Sequence, residues 1–140
     1  MKRRRRTEIL IKGSTDIAKK LAQEIIQNYN VKTIEKPNNG LVMIKTRETA
    51  KKNLFYLGEI FVTEAKVQVE NSLGIGIVQG NNQELAYHLA VIDAAYNGNF
   101  KEIKTWLQIL LNEEKSIMAD NERYKNSVLK TKVNFETMDV

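Results

Sequence analysis

Nine consecutive residues, Leu54 to Val62, place apolar side chains on both faces of any strand they form. Leu54, Tyr56, Ile60 and Val62 fall on one side, and Phe55, Leu57 and Phe61 on the other. Side chains alternate along a strand, so such a segment needs cover on two sides, unlike a strand with one wet face. Gly58 stands in its middle, where a bulge or the close approach of another chain is expected. The amphipathic helices of a 140-residue chain can cover one side. The other side falls either to the long C-terminal helices or to a second protein. The reading favoured here is a second protein, because obligate subunit interfaces are large and apolar, like a core cut in half.

The rest of the chain supplies the elements around that strand. Arg3 to Lys12 is open between helix and strand, since the apolar run Ile9-Leu10-Ile11 is too short to decide. Gly13 is a stop, and Ser14 or Thr15 an N-cap. Ile17, Leu21, Ile25 and Tyr29 recur every four residues and predict an amphipathic helix over 16–29. Val31 to Lys36 reads as a strand, Pro37-Asn38-Asn39-Gly40 as a turn, and Leu41 to Ile44 as a central strand. Arg47 to Asn53 is a polar loop. Ala65, Val67 and Val69 alternate with Lys66, Gln68 and Glu70 as a half-buried strand, and Ile75 to Val78 gives one more. A helical period returns from Gln83 to Tyr96, ends at Asn97-Gly98-Asn99, and resumes from Ile103 to Lys130.

The prediction is one α+β domain over residues 1–140. It has an antiparallel sheet of four or five strands, because the links are too short for parallel crossovers. Helices lie N-terminal and C-terminal to the sheet, after a basic segment at 1–12 and before an extended tail at 129–140. In that tail Val133, Phe135 and Thr137 share a face that could pair with a sheet edge of another chain.

Charge is uneven. The chain is +5 overall, but residues 1–20 carry eight Lys or Arg against two carboxylates, and the other 120 residues sum to −1. A dedicated nucleic-acid reader carries its basic groups on the folded body, so nucleic acid is an unlikely partner, an arginine arm at Arg3 to Arg6 being the alternative route to RNA or another polyanion. There are no cysteines, which excludes disulfides and a thiol nucleophile and fits a reducing compartment. Ile9-Leu10-Ile11 is too short for a signal core or a membrane span. The expected location is cytoplasmic, with no membrane partner.

Few residues suggest chemistry, and no catalytic set can be named. Asp93 aligns with Ala86, Leu89, Ala90 and Tyr96 on a helix, so a partly buried carboxylate is expected, as a structural acceptor for a backbone N–H or an arginine before a catalytic group. His88, the only histidine, lies one turn from Glu84 and reads as a half-buried pair. A stand-alone hydrolase built on Asp93 and His88 is the weakest reading, and one histidine makes no metal site. Arg47, between a strand and a loop, is placed to meet a ligand or partner. Gly74, Gly76 and Gly80 lack the spacing of a dinucleotide fingerprint. Gly80-Asn81-Asn82 before a helix leaves backbone N–H groups where an anion could sit, with a plain turn and N-cap as the default.

The order Gly40-Leu41-Val42-Met43-Ile44, Arg47, Leu57-Gly58-Glu59, Val62-Thr63, Gly74-Ile75-Gly76-Ile77-Val78-Gln79-Gly80 and Ile92-Asp93-Ala94 resembles the PhnG family. The likeness returns at Lys132-Val133-Asn134-Phe135-Glu136-Thr137-Met138. That family is a small subunit of the bacterial carbon–phosphorus lyase core complex. The resemblance implies a non-catalytic or scaffold role beside larger subunits, with self-contact across a symmetric assembly possible. The assembly joins methylphosphonate to the ribose of ATP and expels adenine, giving α-D-ribose 1-methylphosphonate 5-triphosphate. Mg-ATP would be a substrate of the complex, this chain would hold no cofactor, and the iron–sulfur cluster would belong to another enzyme. Phosphate or substrate contacts are expected at Arg47 and Asp93. The chain departs from its relatives at Asn81 and Glu64, where they usually carry arginine, and at Asn134, usually acidic.

Overall fold

The computed structural model describes residues 1–138, with side chains as far as Thr131. The order is α1 (Arg3–Lys12), α2 (Thr15–Asn28), β1 (Val31–Arg47), β2 (Leu54–Val69), β3 (Ser72–Gln79), α3 (Gln83–Asn97) and α4 (Ile103–Met138). The Ser14 hydroxyl accepts from the Asp16 N–H and caps α2. From there Ala18, Leu21, Ala22 and Ile25 bury the predicted stripe.

The fold is α+β as expected, but the sheet has three antiparallel strands in the order β1-β2-β3, not four or five. Two pairs of predicted strands are in fact single long ones. Pro37-Asn38-Asn39-Gly40 does not turn: Asn38, Asn39 and Gly40 pair with Glu64, Thr63 and Val62. The ladder instead slips register between Thr33 and Asn38, leaving Ile34, Lys36 and Pro37 without partners. An edge strand tolerates this, because a proline at a bulge forfeits no ladder bond. Across from it, Val62-Thr63-Glu64-Ala65 runs straight on, so β2 is 16 residues long.

The second correction concerns the tail. α4 is 36 residues and runs to Met138, so 129–138 is helical and not extended. No glycine or proline follows Gly98, and an established helix propagates at one hydrogen bond per residue added. The face proposed for Val133, Phe135 and Thr137 concerns side chains outside the described residues, as do Asp139 and Val140.

The helices pack on one face of the sheet. Thr63, Ala65, Val67 and Val69 of β2 and Gly74, Gly76 and Val78 of β3 are buried there. Gly74 and Gly76 form the seat for α3. A Cβ on Gly76 would run into the Ala86 carbonyl and the Ala90 N–H, and one on Gly74 into the Ala90 carbonyl and the Ala94 N–H. Ala86, Ala90 and Ala94, four residues apart, keep that helix face thin. Behind α3, Leu10, Leu21, Ile25, Ile92, Trp106 and Leu110 form the core. The Trp106 indole donates to Glu24 at 2.8 Å, and Tyr29 stacks on Phe100. Among the described residues no helix is long and apolar enough to cross a membrane.

Candidate functional site

β3 pairs with β2 only from Val62 onward. Before that point β1 and β2 continue alone, from Leu41 to Arg47 and from Leu54 to Phe61, as a two-stranded ribbon. None of its residues is buried. Eight large apolar side chains are exposed on it: Leu41, Val42, Met43, Leu54, Phe55, Tyr56, Leu57 and Phe61. Leu41 keeps 63% of its surface and Leu57 59%. Opposed pairs such as Leu41–Phe61 and Val42–Ile60 put apolar groups on both faces. Gly58, at φ +159°, and a register shift between Ile44 and Lys45 mark the bulge expected there. The double-sided pattern read from Leu54 to Val62 is therefore uncovered for most of its length. Long, flat, hydrophobic edges of this kind invite another chain, and an exposed patch of this extent marks an interaction site.

Arg47 stands at the tip of the ribbon. Its guanidinium donates to the Lys52 carbonyl at 3.2 Å and closes the 48–53 loop, in which Lys52 has positive φ. Lys45, Arg47, Lys51 and Lys52, against Glu48, make that tip basic.

Asp93 lies elsewhere, on α3, and the structure does not bring it to Arg47. Its carboxylate accepts from Arg6 at 2.7 Å, from Arg3 at 3.0 Å and from the Ile75 backbone N–H at 3.0 Å. The Asn97 amide donates to the Leu73 carbonyl at 2.7 Å. Together these groups cap the outer edge of β3 and tie α1 to it. Arg6 is buried between Asp93 and the Tyr96 ring, its guanidinium carbon 4.0 Å from the ring centroid. Burial pulls the Arg6 pKa below its ordinary value while Asp93 opposes the shift. Arg5 pairs with Glu114, its Nε 2.8 Å from the carboxylate. Three of the four arginines thus fasten the first helix down. An arm free to hold RNA finds no support in that arrangement. The sequence signal for it, four like charges in a row, does not reveal which of them meet a carboxylate ninety residues away.

His88 is buried on α3 and faces a cleft between the N-termini of α2 and α3. Burial holds its pKa below the ordinary value, with Glu84 opposing and Lys19 adding to the shift. No hydrogen bond joins it to Asp93 among the described residues, so the two do not form a hydrolytic pair. Nor do any three His, Asp or Glu side chains among those residues converge as a metal site.

One polar network was missed from sequence. The Thr63 hydroxyl donates to the Gly80 carbonyl at 2.6 Å and accepts from the Asn82 N–H at 3.1 Å. It locks the start of α3 to β2 where the ribbon leaves the body. Glu64 and Asn81, the two positions noted as departures in the sequence, flank this lock.

No curated protein matches the chain closely enough to count as a relative. A family model does match, that of phosphonate metabolism protein PhnG, over residues 1–139. The match takes in ribbon, glycine seat and helices together, and the chain belongs to the PhnG family and has its role in phosphonate metabolism.

Proposed function

We propose that this protein is a non-catalytic subunit of the carbon–phosphorus lyase core complex, holding a larger subunit through the β1–β2 ribbon. In this role it supports the reaction that joins methylphosphonate to the ribose of ATP with release of adenine. It supplies position and contributes no reacting group. The observation that carries the reading is the ribbon, bare and apolar on both faces and in continuity with the exposed Leu73, Ile75 and Ile77 of β3.

Magnitudes say what kind of partner is needed. Covering a half-exposed large apolar side chain gains roughly 1 kcal/mol. Eight of them about match the ~4–15 kcal/mol lost in translational and rotational freedom on association. The ribbon therefore needs a partner that covers both of its faces as well as pairing with its free backbone edges, which takes the area of a larger subunit.

The test is co-expression with larger phosphonate-pathway proteins, followed by mass measurement of the intact assembly in high salt. Stoichiometric capture is expected, and Leu57→Glu with Phe61→Glu should abolish it without unfolding the chain. A monodisperse protein that ignores every such partner, or capture that survives the double substitution, sinks the proposal.

A further inference from the structure

The helix pair α2 and α3 presents a second feature, independent of the ribbon. Their N-termini meet at a cleft of about 230 Å³, whose walls include Thr15 and Lys19 of α2 and Asn82, Glu84 and His88 of α3. The first four N–H groups of any helix lack intrahelical acceptors, and each such end carries about half a positive charge. Here caps take up only part of that potential: Ser14 accepts from Asp16, and Asn82 from Leu85.

His88 is the second observation. Only 8% of it is exposed, and its ring makes no hydrogen bond to any described residue. Yet no sealed, unpaired polar side-chain atom exists among those residues, so its ring nitrogens keep access to solvent, and the residue lines the cleft. A largely buried imidazole without a protein partner, in the wall of a cavity at two helix ends, is a donor without an acceptor. Kept neutral by burial, it still donates one N–H.

We propose that this cleft binds one tetrahedral oxyanion of the phosphate or phosphonate class, held by Lys19, the His88 ring and first-turn N–H groups of α2 and α3. The volume decides the size. Sites for small organic molecules span about 300–1,000 Å³, so this one takes a single polyatomic ion or the end of a larger molecule. Lys19 stands 4.0 Å from Glu84, the outer limit of an ion pair, with both side chains more than half exposed. Such a pair contributes little, and Lys19 is free to turn to an anion. Asp16 and Glu84 also line the cleft and oppose a negative ligand, which keeps binding weak and gives the test its sign. The site does not rest on the subunit reading, and either can fail alone.

His88 is the only histidine, so its ring-proton NMR resonances need no assignment. The full chain is titrated at fixed neutral pH and constant ionic strength with inorganic phosphate, methylphosphonate or tripolyphosphate, chloride being the control. A saturable His88 shift with at least one phosphorus oxyanion and none with chloride is expected. Lys19→Ala should weaken that binding about tenfold, the size of one charged hydrogen bond, and Glu84→Gln should tighten it. The tightest of the three ligands shows whether a free ion, a phosphonate or a polyphosphate end is the natural occupant. Equal shifts with chloride, no saturation, or indifference to both substitutions overturns the proposal.

Discussion

Arg6 and Asp93 meet at 2.7 Å across the α1–α3 contact with 6% of either side chain exposed, whereas Arg3 reaches the same carboxylate at 3.0 Å with 62% exposed. One acid thus holds a buried and a surface partner at once, and the two should differ sharply in cost.

Arg6→Ala leaves a buried carboxylate without its main counter-ion and should cost about 3–5 kcal/mol. Arg3→Ala removes a largely solvated partner and should cost under ~1 kcal/mol. Urea unfolding of the two variants checks this, with equal losses as the contrary result. Asp93→Asn should resemble Arg6→Ala, because it strands a buried guanidinium.

The glycines of β3 and β1 should respond with opposite signs. Gly76→Ala drives a methyl into the backbone of α3, which cannot step aside as a side chain can, and should cost at least ~1–3 kcal/mol. Gly40→Ala meets nothing within 4 Å, and alanine relieves the entropy of a strand glycine by about 0.5–1 kcal/mol. Thermal unfolding that ranks Gly40→Ala below Gly76→Ala would refute the packing seat.

The elements that sequence revealed are those set by nearby residues. The α2 stripe, the α3 period and the bare double-sided segment follow from spacing alone, and so does a carboxylate at Asp93 that serves as an acceptor for arginine and backbone. What escaped was decided at long range. Pro37-Asn38-Asn39-Gly40 carries the chemistry of a turn, yet β2 offers Val62 to Glu64 as an uninterrupted partner, and pairing over a long ladder outweighs local preference. The arginine run suggested a polyanion-binding arm because its carboxylate partners, Asp93 and Glu114, lie far along the chain, 90 residues from Arg3 and 109 from Arg5. Gly74 and Gly76 had no phosphate spacing, but only the approach of α3 shows what they are for. Arg47 and Asp93 shared nothing in sequence that would keep them apart, and the ribbon separates them.

His88 predicts how stability depends on pH. Its folded pKa is lowered by burial, so below about 6.5 the unfolded chain binds the proton more readily than the folded one. Stability is complete above that value and falls as the pH drops through the window between unfolded and folded pKa. Denaturant midpoints taken at neutral and mildly acidic pH should show the loss, and His88→Gln should flatten it. Glu8 and Glu114, both lowered by their basic partners, act only below the ordinary carboxylate range and do not confuse the reading. An unchanged slope in the variant would mean that the imidazole is no more desolvated in the fold than in water.

The ribbon gives the last prediction, for the isolated chain. With Phe55, Leu57 and Phe61 all exposed, their removal takes nothing from the folded core. About half of each side chain is already in water, so Phe55→Ser with Leu57→Ser should cost no more than about 2 kcal/mol, short of the roughly 3–5 kcal/mol of emptying one core Phe. The same pair should strongly reduce self-association, because the apolar edge is what draws copies together when the natural partner is absent. Sedimentation across a concentration series separates the two effects. A large stability loss with unchanged association would place these side chains inside the molecule's own core, and the ribbon would then be a structural strand and not a docking arm.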